Sequence, residues 1–154
     1  MHLHDLLSPK AVLPALKVSG KKQALQELAA HAAMITGLGE RLIFDTLLQR
    51  ERLGSTGIGN GIAIPHGKLP QIQHLTGLFA RLDKAVDFEA VDGEPVDLVF
   101  VLLAPEDAGA DHLKALARTA RVLRDPAKAS RLRATPDADA LYALLTQEPA
   151  SHAA

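Results

Sequence analysis

The chain has 154 residues, a net charge of −1 and no cysteine. The length fits one domain with a substantial core, and a hydrophobic share of 47 % is typical of globular proteins. The near-neutral charge and an aromatic share of 3 % argue against general nucleic-acid binding and stacking on bases. The lack of cysteine excludes disulfides, thiolate chemistry and cysteine-built zinc sites. We see no secretory signal and no bilayer-spanning apolar run, so we expect a cytoplasmic protein without membrane insertion.

The first third of the chain predicts one strand and two helices. A short edge strand is expected from Ala11 to Lys17, because Pro14 cannot donate to a sheet ladder. Ser19 is a candidate N-cap for a helix whose apolar residues recur at helical spacing as far as Gly37. A second helix is expected from about Glu40 to Leu53, where a glycine-rich segment begins.

Beyond that segment, strands alternate with helices. Strands are expected at Leu75–Leu82 and Val96–Ala104, and the second, which is almost continuously apolar, should be central in its sheet. Between them we expect a short strand around Val86–Phe88 and a turn at Asp92-Gly93. The remaining expected helices span Asp111–Arg124, Pro126–Leu132 and Asp137–Thr146. The alternation predicts an α/β fold with helices on both sides of one sheet.

The glycine-rich segment, Gly54 to Gly67, leads directly into a histidine, His66. Glycines let backbone N–H groups approach an anion closely. A histidine at the rim of such a loop can accept and pass on a phosphoryl group through a ring nitrogen. A flexible turn with an incidental surface histidine is the alternative, and the loop by itself does not decide between them.

The chain contains seven histidines, and one other has informative surroundings. His112 falls in the first turn of a predicted helix, where free N–H groups and the helix dipole favour an anion. A helix-start histidine without any function is the alternative. His31 lies inside a helix, and His2, His4 and His152 lie in expected frayed ends, so we interpret these four as structural or solvated.

Other chemistries find little support in the residues. The segment around Gly67-Lys68 lacks the first glycine and the hydroxyl residue of a phosphate-binding P-loop. The run Gly57 to Gly61 does not have the dinucleotide-binding spacing. No metal and no cofactor is expected. The basic side of the third helix is interpreted as a solvated face on which an acidic partner can dock, and it consists of Lys114, Arg118 and Arg121.

Several segments resemble the fructose/mannitol-type IIA proteins of the bacterial phosphotransferase system. The run from Glu51 to Gly67 resembles their phosphorylation-site signature, whose aliphatic-alanine-aliphatic-proline-histidine-glycine end is matched at every position. Asp111–Ala117 resembles their second histidine segment, and Leu47–Glu51 resembles the helix end that carries their active-site arginine. The resemblance extends from about Leu6 to Gln147.

This resemblance implies a three-layer α/β/α sandwich, with a small mixed β-sheet flanked by helices on both faces. It implies an EIIA type-2 domain over residues 1–148 and leaves residues 149–154 as a flexible C-terminal tail. His66 would be the phosphoacceptor. The residues expected around the phosphoryl group are Arg50, Ser55, Thr56, Gly57, Gly67 and His112.

The opening Leu6 to Pro9 is similar to the nitrogen-regulatory branch of that family. The resemblance to this branch implies that the protein takes phosphate from a phosphorylated HPr/NPr-like carrier protein. It also implies that the protein regulates target proteins according to its phosphorylation state. Potassium transport proteins and sensor kinases are candidate targets. A sugar-specific IIA that passes phosphate to a IIB partner is the first alternative. Alternatives from other classes are a metal-dependent hydrolase using His66, His112 and Asp111, and an anion-binding module without chemistry.

Overall fold

A mixed six-stranded sheet forms the middle layer of the protein, whose computed structural model describes residues 2–147. The strands are β1 (Val12–Leu16), β2 (Gly57–Gly59), β3 (Ile62–Ala63), β4 (His66–Leu69), β5 (Thr76–Val86) and β6 (Val96–Pro105). Their order is β1-β5-β6-β3-β2, and β4 also pairs with β6. The predicted C-terminal tail and His152 lie outside the described residues.

Two groups of helices cover the sheet. The helices are α1 (Lys21–Thr36), α2 (Glu40–Arg52), α3 (Ala110–Arg124), α4 (Pro126–Ala134) and α5 (Ala138–Thr146). Helices α1 and α2 pack on each other and contact β5 and β4, whereas α3, α4 and α5 pack in series and contact β6 and β1. The three-layer α/β fold predicted from the sequence is confirmed. No helix within residues 2–147 is long and apolar enough to cross a membrane.

Strand β6 lies at the centre of the core, as its apolar run predicts. It pairs antiparallel with β5, where Phe79 faces Phe100, and parallel with β3 and β4 on its other side. Both phenylalanines and every residue from Leu98 to Ala104 are buried. Each large apolar side chain removed from water contributes about 1.5–3 kcal/mol. Burial therefore stabilises β6, the strand with which β4 pairs.

Three local predictions are corrected by the structure. Gly20, not Ser19, occupies the N-cap position of α1, and the Ser19 hydroxyl donates to Gln23 Oε1 at 2.9 Å. Val86 belongs to β5, which continues past a register shift, while Phe88 follows the strand as a buried residue. The apolar alternation there reflects core packing of one long strand rather than a new strand. The N-terminus, expected to be frayed, also differs.

The N-terminal segment is packed rather than frayed. Leu3, Leu6 and Leu7 are buried, because a short 3₁₀ helix at Leu3–Asp5 turns their side chains toward the core. The Leu6 carbonyl accepts a hydrogen bond from Gly77 N at 2.7 Å, which fastens the segment to β5. The predicted turn at Asp92-Gly93 is present, with Gly93 N donating to the Ala90 carbonyl at 2.9 Å.

Candidate functional site

The glycine-rich segment folds as a β-hairpin followed by β4. Asn60 and Gly61 have φ values of 58° and 77°, as the two central residues of a type I′ turn require. Strands β2 and β3 pair antiparallel on either side, with Gly57 opposite Ala63. Asn-Gly is itself a strong hairpin signal, and the sequence analysis missed it. The segment is an ordered ladder rather than an open loop of free N–H groups.

Side chains from two other parts of the chain hold the hairpin tip. Asn60 N donates to Asp92 Oδ2 at 2.9 Å, and Arg133 Nη2 donates to the Asn60 carbonyl at 2.6 Å. Arg133 also pairs with Asp97 at 3.0 Å. The backbone N–H groups of Asn60 and Glu94 hold the pKa of Asp92 below its usual value. These contacts fix the tip between the β5–β6 connection and α4.

Two glycines allow close packing around the histidine. A Cβ at Gly57 would lie 2.7 Å from Ala90 Cβ, and a Cβ at Gly67 would lie 2.5 Å from Thr46 Cγ2. Both distances are too short for real carbon contacts. Gly57 therefore lets the hairpin lie on the Ala90 segment, and Gly67 lets β4 lie directly on α2. In this structure both residues have a packing role.

His66 is the first residue of β4, opposite Leu102 of β6. Its Nδ1 lies 2.7 Å from the Ile64 carbonyl oxygen, and Arg50 Nε lies 3.2 Å from its Nε2. A carbonyl only accepts and a guanidinium only donates. The ring proton is therefore assigned to Nδ1, and Nε2 presents its lone pair to Arg50.

The electrostatics of the site favour a neutral His66 ring. Burial lowers the pKa of His66 below its ordinary value of 6.5, and the positive charge of Arg50 lowers it further. The hydrogen bond to the Ile64 carbonyl and the charge of Glu51 act in the opposite direction without reversing the shift. A neutral imidazole whose Nε2 is unprotonated is a nucleophile near neutral pH.

Arg50 lies in the last turn of α2 and is held at two points. Its Nε donates to His66 Nε2, and its Nη1 donates to the Gly54 carbonyl at 2.8 Å. The planar guanidinium has further N–H groups to offer. The structure thus brings together the arginine and the histidine that the sequence analysis selected.

His112 completes the cluster from the first turn of α3. Its ring stands edge-on to that of His66, with centroids 5.6 Å apart and an interplanar angle of 70°. The side chain is 7 % exposed, and within residues 2–147 its Nε2 has no hydrogen-bond partner. Burial, then the nearby charges of His66 and Lys68, lower the pKa of His112. Lys68 is a neighbour that the sequence analysis did not select.

The hydroxyls of Ser55 and Thr56 are engaged elsewhere. Ser55 Oγ donates to the Phe88 carbonyl and accepts from Gly57 N at 3.0 Å. The buried Thr56 donates through both its N–H and its hydroxyl to the carboxylate of Glu51. In the unphosphorylated protein these hydroxyls fix the path of the chain, and their contact with a phosphoryl group stays a prediction.

The metal-dependent alternative requires acidic and histidine side chains arranged to bind a metal ion near the site. Between residues 2 and 147, no group of three or more His, Cys, Asp or Glu side chains is arranged to hold a metal ion. Asp111, offered with His66 and His112 as a ligand set, has an exposed side chain. On the basic face of α3, Lys114 and Arg121 are exposed, whereas Arg118 is half-buried and its Nη2 lies 3.4 Å from His2 Nδ1.

Comparisons with known proteins show the family of this chain and its fold. The profile of the family described as phosphoenolpyruvate-dependent sugar phosphotransferase system, EIIA 2, matches residues 5–148. A nitrogen regulatory protein from Bradyrhizobium diazoefficiens is 63 % identical over 153 residues, covering 99 % of this chain and 100 % of its own.

Solved structures show the same fold. Nitrogen regulatory protein IIA-Ntr from Neisseria meningitidis matches with a TM-score of 0.89 and 34 % identity, over 94 % of this chain and 99 % of that one. IIA mannitol from Escherichia coli matches with a TM-score of 0.76 and 22 % identity, over 90 % and 97 %. The second likeness concerns the fold alone.

Proposed function

The chain belongs to the EIIA 2 family of the phosphoenolpyruvate-dependent sugar phosphotransferase system, in its nitrogen-regulatory branch, and we propose that His66 is its phosphoacceptor. In this proposal a phosphorylated HPr/NPr-like histidine carrier donates the phosphoryl group. The protein then regulates targets according to its phosphorylation state. The observation that carries the proposal is the His66 ring, fixed with its proton on Nδ1 and its lone pair on Nε2.

The transfer exchanges one phosphorus–nitrogen bond for another. His66 Nε2 attacks the phosphorus, and the carrier's histidine nitrogen leaves with the electron pair of the broken bond. The Nδ1 proton stays in its hydrogen bond to the Ile64 carbonyl, which orients the ring throughout. No proton has to move on this chain, and the protein's contribution is positioning and charge stabilisation.

Arg50 and His112 supply that stabilisation. As the phosphoryl group takes the lone pair of Nε2, the Arg50 Nε–H loses its acceptor and turns to a phosphoryl oxygen, while Nη1 keeps the Gly54 carbonyl. The unpartnered Nε2 of His112 carries a proton in one neutral tautomer. It then donates a second hydrogen bond to the phosphoryl group.

Phosphorylation changes the surface that a target meets. It adds about −1.5 to −2 charges at neutral pH. Leu53, three residues after Arg50, is 85 % exposed, and Leu113, next to His112, is 67 % exposed. A target that packs over these leucines has to desolvate the new charge, so we expect it to bind mainly the unphosphorylated form. Potassium transport proteins and sensor kinases are the candidates to assay.

The decisive experiment is reconstitution with phosphoenolpyruvate, enzyme I and the carrier, followed by intact mass measurement. We expect one acid-labile phosphoryl group on the wild-type protein and none on His66→Ala. His74→Ala is the matched control, because His74 is exposed and lies in the connection between β4 and β5, and it should be labelled fully. Full labelling of His66→Ala contradicts the proposal.

The sugar-specific alternative is tested in the same reaction. A IIB domain is added to the labelled protein, and the loss of label is followed over time. Rapid, complete transfer to the IIB domain favours a role in sugar uptake. Retention of the label, with partner capture that depends on phosphorylation state, favours the regulatory role.

A further inference from the structure

Apart from the effect of its charge on the pKa of His66, the buried carboxylate of Glu51 has no part in the chemistry described above. It lies in the last turn of α2, is 6 % exposed, and accepts from three donors. Lys21 Nζ, at the start of α1, lies 2.7 Å from Oε2, and Thr56 N donates to the same oxygen at 2.9 Å. The Thr56 hydroxyl donates to Oε1. Burial of an ionised carboxylate is unfavourable unless the charge is fully paired, so a buried carboxylate this close to the site points to a specific role.

One path leads from Glu51 to the Nδ1 side of the His66 ring. Thr56, held by the carboxylate through two donors, accepts at its carbonyl a hydrogen bond from Ile64 N at 3.0 Å. The carbonyl of the same Ile64 accepts the His66 Nδ1 proton. The ring's tautomer therefore depends on a carbonyl whose residue is fixed through Thr56.

A second path leads to the Nε2 side of the ring. Arg50 Nη1 is anchored on the Gly54 carbonyl, and Gly54 sits in the turn between Glu51 and Thr56. Glu51 closes this turn twice, because its backbone carbonyl accepts from Gly54 N at 3.1 Å and its side chain accepts from Thr56. Without the carboxylate, only the backbone contact closes this turn, so the Gly54 carbonyl that anchors the guanidinium is held less firmly.

We propose that Glu51 is a positioning residue for phosphoryl transfer, fixing both nitrogens of the His66 ring through Thr56 and through the Gly54–Arg50 contact. Lys21 neutralises the carboxylate and carries the restraint into α1. Its Nζ also lies 3.4 Å from Glu89 Oε1 and 5.4 Å from the centroid of the Phe88 ring. The inference rests on the proposed function for its rate prediction, whereas its geometric prediction concerns the unphosphorylated protein alone.

The variants separate hydrogen bonding from charge and from general stability. Glu51→Ala removes every contact of the carboxylate. Glu51→Gln combined with Lys21→Met keeps an oxygen for Thr56 N and an amide for the Thr56 hydroxyl, without leaving a buried ammonium unpaired. Leu141→Ala is the stability control, since this buried residue lies in α5, which packs on β1 at the opposite edge of the sheet.

The first measurement follows the ring by nitrogen-15 NMR without any phosphate. In wild type and in the Glu51→Gln/Lys21→Met protein, His66 should show one Nδ1-protonated tautomer and a slowly exchanging Arg50 Nε–H. In Glu51→Ala we expect mixed tautomers and a fast-exchanging Arg50 signal. Leu141→Ala, at a matched loss of melting temperature, should keep the wild-type pattern. A wild-type pattern in Glu51→Ala overturns the proposal.

The second measurement is the single-turnover rate of labelling by the phosphorylated carrier. Misplacement of reacting groups by about 1 Å can cost up to about 10²-fold, so we expect Glu51→Ala to be slowed by about 10- to 100-fold at saturating carrier. The half-saturating carrier concentration should change by less than about threefold, and the Gln/Met protein should recover most of the rate. An unchanged rate in Glu51→Ala also overturns the proposal. Absence of labelling in wild type would refute the proposed function instead, and the NMR comparison would still decide the role of Glu51.

Discussion

Two helix ends meet at the His66 ring, where the last turn of α2 brings Arg50 and the first turn of α3 brings His112. The guanidinium of Arg50 already has two acceptors, the ring itself and the Gly54 carbonyl. The imidazole of His112 is buried with Nε2 unpartnered in the described part of the chain. A buried polar atom without a hydrogen bond costs about 1–3 kcal/mol. The arginine at one helix end therefore has its hydrogen-bond partners in the resting protein, whereas the histidine at the other lacks one among the described residues.

In the proposed transfer, this difference would assign the two residues to different stages. Arg50 would keep Nε2 of the resting ring unprotonated and aim its lone pair, because a donor already occupies the position that a competing proton would take. His112 would gain a partner only when an oxygen-rich group arrives, so its interaction energy would be released in the transition state and in the product. The largest losses should therefore come from Arg50, which acts at every stage.

Replacement of Arg50 should have the largest effect on transfer. Loss of a donor to a developing oxyanion typically costs about 10²–10³-fold, and we expect Arg50→Met to reach the upper end of that range. Arg50→Lys should still lose about 10²-fold, because one ammonium cannot span the Gly54 carbonyl and the ring as the planar fork does. Single-turnover labelling measures both rates. A lysine variant with the full wild-type rate would show that charge alone matters.

Replacement of His112 should separate function from stability. His112→Phe keeps an aromatic ring edge-on to His66 and removes the unpartnered nitrogen. We expect labelling to fall by about 10²-fold while stability to urea stays equal or rises, because an unmet polar atom has been removed. Phosphorylated His112 recovered from a His66→Ala protein would reverse the assigned roles.

The elements that can be predicted from the sequence are those whose signal lies within their own residues. Strand β6 and the helix that begins near Glu40 were found, because each carries its pattern of apolar residues within its own span. The register shift that extends β5 to Val86 was missed, since it depends on the partner strand rather than on β5 itself. The N-cap of α1 was displaced by one residue, because Gly20 leaves no side-chain signature.

The same distinction between local and long-range signals holds for the residues of the candidate site. His66 stands out through the residues beside it, and His112 and Arg50 follow from the family resemblance, although the structure alone gives their distances. Asn60-Gly61 is also a local signal, since this dipeptide is typical of a type I′ hairpin turn. The pairing of Glu51 with Lys21 joins residues far apart in sequence, and nothing in either neighbourhood indicates it, so only the fold reveals it.

A smaller effect is expected where α2 meets β4, the contact that sets the distance between Arg50 and His66. Gly67→Ala places a Cβ against Thr46 Cγ2, and such overpacking costs about 1–3 kcal/mol. We expect a matching loss of unfolding free energy in urea and slower labelling by up to about tenfold.

The matched rescue of that variant removes the obstructing methyl group. Thr46→Ser keeps the hydroxyl that donates to the Leu42 carbonyl at 2.8 Å and deletes Cγ2. Gly67→Ala/Thr46→Ser should therefore regain most of the stability and the rate. A double variant as impaired as Gly67→Ala would mean that Gly67 is needed for a reason other than its approach to α2.

The smallest effect should be the response of labelling to pH near neutrality. Since burial and then Arg50 lower the pKa of His66 below its ordinary value of 6.5, the neutral form of the ring is favoured at pH 6.5, where an ordinary histidine is half protonated. The labelling rate, corrected for the carrier's own titration, should change by less than about threefold between pH 8 and 6.5 and decline only below that.

Stability follows the same linkage, because below pH 6.5 the unfolded chain binds protons that the folded His66 and His112 do not. The free energy of unfolding should thus decrease as pH falls through 6.5, and less steeply in a protein carrying His66→Asn and His112→Asn. In Arg50→Met, one of the two causes of the lowered pKa of His66 is gone, so the midpoint of the rate profile should move to higher pH. A midpoint above 6.5 in the wild-type protein would mean that the resting ring is protonated, and that Arg50 does not hold the lone pair as the structure places it.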